Sequence, residues 1–480
     1  MFFSSYSFLL FFPLVLILAN VLPAKWKNPM LLIASYFFYS CWSKRYCVLL
    51  LGCTVVVYIA ARLLEKKRWT FWAGLLTILG VLFVFKYGDF SLYTLEKILG
   101  RQIPRLYLVV PVGISFFTFQ AAGYLMDVYR GKYKAETNFI NFALFVSFFP
   151  QLLSGPIGRG GSLLPQYADP QKPSYDDLRS GLLTMTWGFF LKLMIADRAA
   201  ILVDKVYGSF ESFPGSCLIF ATVIYGVQIY CDFAGYSAMA IGAARMLGIR
   251  LPVNFKTPYF AQSIQEFWRR WHISLSTWFR DYVYFPLGGS RCAKWKTYRN
   301  VLIVFLLSGL WHGANWTFVI WGGLHGLYQI VGKLTKAPRQ ALTAKLGIRQ
   351  EACSWKIFRM ILTFLLVDFA WLFFRASSLE TAVQMLQHIV SDLRPLELWD
   401  TIRWTTLGLD GPDQWVLLLS ILFMTGLDIA RYCGVNLQTV YLRQNWLTRE
   451  LLLAGFMLLI FIFGIWGNGF DASNFIYFQF

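Results

Sequence analysis

The chain has 480 residues, of which 57% are hydrophobic and 14% charged, against about 25% charged in soluble domains; an ordinary water-soluble enzyme is excluded. The formal charge of +19 does not point to nucleic acid, because lysine and arginine cluster in the short breaks between apolar runs, as in Arg62–Arg68 and Arg291–Arg299. Runs near bilayer-spanning length recur throughout, so the class is an all-α polytopic membrane protein and not a β-barrel of short alternating segments.

The opening MFFSSYSFLLFFPLVLILANVLPAKWK has no basic stretch before its apolar core and reads as a retained first helix, not a cleaved signal. Apolar spans follow near 4–22, 29–43, 46–64, 69–87, 107–128, 138–154, 180–204, 215–232, 299–332, 356–375, 414–431 and 447–468. The polar insertions 155–179, 333–355 and 388–413 are too small to house an independent enzyme, so the expectation is one integral-membrane domain over 1–480. Its motif-bearing core is about 107–332, with an aromatic tail at 474–480. Any chemistry must then occur within or against lipid. The eight cysteines are scattered without metal-ligand spacing, which points to no disulfide framework and no metal site.

The segment 261–285, AQSIQEFWRRWHISLSTWFRDYVYF, carries too many charges to cross lipid alone. As one helix it would place Arg269, His272, Ser276 and Arg280 on one face and Phe267, Trp271, Leu275 and Trp278 on another. Such a helix lies at the interface or lines a polar cavity. The next run, 299–332, would measure roughly 50 Å as a single helix and overshoot the hydrocarbon core of about 30 Å. Basic clusters flank it on both sides: Arg291, Lys294, Lys296 and Arg299 before, Lys333, Lys336 and Arg339 after. The reading is a pair of short or re-entrant helices turning near mid-membrane, with Gly309 and Gly313 as breakers. His312 then sits roughly 20 Å past Arg299, at the end of a polar recess.

His312, in SGLWHGANW, is one of four histidines. Its alternatives are a core ring holding Trp311 and Trp316 in register, or a catalytic base. An ionisable group inside a membrane favours function, and a buried imidazole disfavours its charged form, leaving the neutral base that acyl transfer to a hydroxyl requires. His272 is open between an interfacial and a functional role. His325, in WGGLHG, reads as a structural partner, and His388 as uninvolved. Arg269, Arg270 and Arg280 suit the phosphates of coenzyme A or phosphopantetheine, or anionic lipid headgroups. Asp232 reads as a buried pair with an internal arginine or as a hydrogen-bond partner of a catalytic group; Asp281 and Trp311 are supporting residues. The ending NFIYFQF is an anchor, or offers the Tyr477 phenol as an acyl relay.

YCDFAGYSAMAIGAARMLGIRLPVNFKTPYFAQSIQEFWRRWHISLSTWFRDYVYFPLGGSR, then LLSGLWHGANWTFVIWGGLHG, resembles the membrane-bound O-acyltransferase (MBOAT) family, in its bacterial branch; FFPQLLSGPIGR and FIYFQF match as well. The resemblance implies a ring of tilted transmembrane helices, with re-entrant and short helices around a central funnel. It implies that His312 is catalytic and His272 the second functional histidine. It further implies an acyl group taken from a cytoplasmic thioester, on acetyl-CoA or an acyl carrier protein, and passed across the bacterial inner membrane. An extracytoplasmic SGNH-type esterase or acyltransferase partner would place that group on a polysaccharide, with Tyr477 as a carrier. The ending and length lean toward acetyl transfer of the alginate type over D-alanyl transfer to teichoic acid. A transporter or flippase of a lipid-linked intermediate is the alternative of a different class.

Overall fold

The computed structural model describes residues 1–401 and 407–466. Three-quarters of the chain is helical, and the described residues contain no strand. Among the described residues six helices are long and apolar enough to cross a bilayer: Lys44–Leu63, Thr70–Leu99, Gly215–Met246, Cys353–Arg375, Gly411–Tyr432 and Trp446–Phe463. This is an all-α polytopic membrane protein. The apolar window of Gly215–Met246 is 78% buried and that of Trp446–Phe463 only 11%, so the first lies largely inside the protein and the second is little covered by the described residues. That contrast explains how a polar residue such as Asp232 is tolerated on the first.

Several expected spans take another form. The run 138–154 breaks at Phe148 into Phe139–Ser147 and Phe149–Leu152, with Pro150 unable to donate to a continued helix. The run 180–204 is divided among the helix Tyr175–Phe189, a π-helical turn over Phe190–Ala196 and the helix Asp197–Gly208. The expected end of 215–232 is overrun: the helix continues to Met246, because the Asp232 charge is met inside the protein.

Residue contacts divide the chain into two compact units, one of Met1–Gly188 with Tyr236–Val253 and one of Phe189–Gly235 with Asn254–Trp466. In the first, the helices Tyr6–Val21 and Ala24–Ser40 pack through Phe8, Phe11 and Phe38 onto Phe149. A polar clasp fixes their base: Asn28 donates to Asn141 Oδ1 at 2.9 Å and to the Tyr167 carbonyl at 2.6 Å. The second unit holds His272, His312, His325 and the arginines of the 261–285 segment.

Candidate active site

His312 is the last residue of the helix Lys294–His312. Gly313 leaves the helical region (φ −162°, ψ 153°), and Asn315 starts the return helix Trp316–Leu334 by accepting the Thr317 amide on its side chain at 3.1 Å. The two helices run antiparallel in very close contact. A Cβ on Gly309 would lie 2.1 Å from the Phe318 carbonyl oxygen, and one on Gly322 would lie 2.2 Å from that of Phe305. Only glycine permits that approach. The expected turn is present beside His312, with both basic clusters at the open end of the hairpin. The legs are longer than expected, however: the helices begin at Lys294 and end at Leu334, 19 residues each, or roughly 28 Å. Each nearly matches a hydrocarbon core, so leg length does not require a turn at mid-depth.

The His312 side chain is 3% exposed and sits in an aromatic cage, its ring centroid 5.0 Å from Trp311, 5.0 Å from Trp321 and 5.3 Å from Phe374. Trp321 is stacked on Trp371 at 5.7 Å, which fixes one wall of the cage from the helix Cys353–Arg375.

The 261–285 segment is not one helix. It forms Ile264–Arg270 and Ile273–Phe279, broken at Trp271–His272, so Arg269 and His272 do not share a helical face. The break is a left-handed His272 (φ 42°, ψ 54°), a conformation costing a non-glycine residue roughly 1–2 kcal/mol. Asn254 holds it: its carbonyl accepts the Ile273 amide at 2.9 Å and its side chain accepts that of Ser274 at 3.2 Å. The His272 ring is fully buried, edge-on to Phe233 at 4.6 Å and to Trp311 at 5.8 Å. The Trp311 indole thus touches both imidazoles. The His272 ring is therefore packed among protein side chains and is not displayed on an open helix face.

A cavity of about 470 Å³ lies beside the hairpin. Exposed Arg269, Arg280 and Lys333 stand in its lining, which among the described residues contains no carboxylate, and the buried side chains Trp268, Phe305 and Ser308 also line it. Ser308 lies four residues before His312 on one helix, about 6 Å along the axis. Neither His312 nor His272 is in the lining. A continuous series of ring contacts lies between the cavity and His312: Trp268 meets Trp321 at 5.7 Å, and Trp321 meets His312 at 5.0 Å.

The other candidates are distributed differently. Arg270 turns away from the cavity, donating to Glu266 at 2.9 Å and to Thr257 Oγ1 at 3.0 Å, with its guanidinium over Tyr432. Asp281 pairs with Arg280 at 2.9 Å, at the cavity rim. Among the described residues Asp232 pairs with Lys192 at 2.7 Å, and Lys192 also meets Asp197 at 2.8 Å. All three are buried. His388 bonds the Phe213 carbonyl at 2.7 Å, a structural role. Tyr477 and the aromatic tail lie outside the described residues. Lys192 was missed in the sequence although GFFLKLMIA carries the signal, a lone cation in an apolar run. The bond from Trp268 to His325 has no local signal, since 57 positions separate them.

A lipid-embedded helical fold, a cationic recess and two caged histidines meet in one place with the expected motifs. The chain belongs to the membrane-bound O-acyltransferase family, whose sequence model matches residues 135–374, and it is an acyltransferase. It is 37% identical over 452 residues to the probable alginate O-acetylase AlgI of Pseudomonas aeruginosa, covering 92% of this chain and 84% of that protein. It is 37% identical over 407 residues to the peptidoglycan O-acetyltransferase of Helicobacter pylori, covering 77% and 76%. The teichoic acid D-alanyltransferase of Streptococcus thermophilus is 30% identical over 235 residues, covering 46% and 56%.

Proposed function

We propose that the protein moves an acetyl group from a cytoplasmic thioester, on acetyl-CoA or an acyl carrier protein, across the bacterial inner membrane for O-acetylation of an exported cell-surface polysaccharide. The observation that carries this reading is the cavity, cationic at its exposed end and apolar inside, whose Ser308 lies one helical turn from His312. Guanidinium and ammonium groups at Arg269, Arg280 and Lys333 suit the phosphates of the donor. The basic ends of the hairpin favour the cytoplasmic side for that entrance. Two relatives whose names are O-acetylase and O-acetyltransferase match over most of the chain, whereas the D-alanyl relative matches under half of it.

In the reaction, a neutral His312 nitrogen takes the proton of the acceptor hydroxyl as its oxygen attacks the thioester carbonyl. Collapse of the tetrahedral intermediate breaks the C–S bond, and the departing thiolate takes the proton back from the imidazolium. Transfer requires the Trp321 indole to shift while Trp268 holds the cavity wall, so that carbonyl and ring meet. His272 holds Trp311 against His312. Tyr477, or a hydroxyl of an extracytoplasmic SGNH-type partner, would be the first acceptor. The test is His312→Ala at unchanged membrane abundance, which abolishes acetylation on this account. Full acetylation by that variant would favour a transporter that only conducts.

A further inference from the structure

We propose that His325 is a positioning residue for the donor cavity, fixing the Trp268 indole as its inner wall. This deepens the reading above and rests on the cavity being the donor site. Trp268 lines the cavity, is 8% exposed and donates its indole N–H to His325 Nδ1 at 3.2 Å. An indole can only donate, so Nδ1 is the lone-pair nitrogen and the ring proton belongs on Nε2. His325 is fully buried in an aromatic box, 4.9 Å from Trp321, 5.9 Å from Tyr328 and 6.2 Å from Phe305. Phe305 itself lines the cavity and packs on Trp268 at 5.2 Å.

The consequence is geometric. Any rotation that carries Trp268 out of the wall strands its N–H in an apolar surround, where an unmade bond is costly. The box leaves His325 little freedom to follow. The cavity section next to Ser308, through which a thioester carbonyl would pass toward His312, is therefore set from the return helix of the hairpin. His325 never touches the donor; it acts through the indole.

The experiment uses the full-length protein in proteoliposomes with acetyl-CoA as probe. His325→Phe keeps the ring volume and removes the acceptor; KM for the donor is expected to rise roughly 5- to 10-fold with a smaller change in kcat, the size of one buried hydrogen bond. His325→Asn, whose amide oxygen can accept the indole N–H, restores most of the loss. On a Trp268→Phe background, His325→Phe has no further effect, because the bond is already gone. Additive losses, or His325→Asn no better than His325→Phe, overturn the proposal. A wild-type protein that turns over no acetyl thioester would instead count against the function proposed above. A second readout then decides this inference alone: thiol labelling of Ser308→Cys is expected to quicken several-fold with His325→Phe and not with His325→Asn. Equal labelling in all three backgrounds overturns it.

Discussion

Gly309→Ala puts the smallest possible wedge into the hairpin that carries His312. The added Cβ would lie 2.1 Å from the Phe318 carbonyl oxygen and 3.0 Å from its carbon, where ordinary contact begins at 3.4 Å. The shortfall is 3.4 − 2.1, about 1.3 Å, and the atoms met are backbone, which cannot rotate aside. The helices must part by about that amount. Overpacking of this kind costs about 1–3 kcal/mol. His312 lies three residues further on and its cage spans both helices, so the ring is displaced relative to Trp321 and Phe374. A misplacement near 1 Å lowers transfer about 100-fold. The assay is the acetylation rate in proteoliposomes alongside thermal unfolding in detergent. Gly52→Ala is the matched control: nothing lies within 4 Å of its Cβ, so stability should stay within about 0.5 kcal/mol of wild type. A Gly309→Ala protein with wild-type melting and wild-type rate would refute the reasoning.

Arg269→Gln and Arg280→Gln should each raise donor KM, by roughly 10-fold for a charge-assisted bond to phosphate, while Arg270→Gln leaves it near wild type; steady-state kinetics with acetyl-CoA separates them. Lys192→Met removes the cation that both Asp197 and Asp232 bond inside the protein, and should cost about 3–5 kcal/mol. Membrane abundance and melting temperature report that loss, and Lys192→Met with both aspartates changed to Asn should recover part of it. His272→Val, forced into a left-handed backbone, should melt below His272→Asn, which tolerates that region, by the equivalent of about 1 kcal/mol.

Hydropathy and charge placement made much of the molecule legible. The spans Lys44–Leu63 and Cys353–Arg375 were visible as apolar runs, and the hairpin break beside His312 followed from Gly313 and from basic clusters on both flanks. The burial of Asp232 was also readable, because an acid in an apolar run must find a partner. Its identity was not: Lys192 approaches from another helix, 40 positions earlier. The segment 261–285 misled for a related reason. It has helical periodicity and neither glycine nor proline at Trp271–His272, yet it breaks there because Asn254, in a preceding loop 20 positions before Ser274, captures the Ile273 and Ser274 amides. Amphipathic spacing reports a local preference, and a clamp supplied from elsewhere overrides it. The same limit applies to His325, whose sequence surroundings suggest a packing residue; its importance lies in the indole it reaches across the unit.

The most direct measurement is a structure of the protein with a non-transferable analogue of acetyl-CoA, in which a methylene between sulfur and carbonyl blocks acyl transfer. The account predicts the phosphates against Arg269, Arg280 and Lys333, the acyl end beyond Ser308, and the Trp321 indole displaced so that the carbonyl faces a His312 ring nitrogen. An analogue bound outside this cavity, or one whose carbonyl stays parted from His312 by the undisturbed indoles, would contradict it.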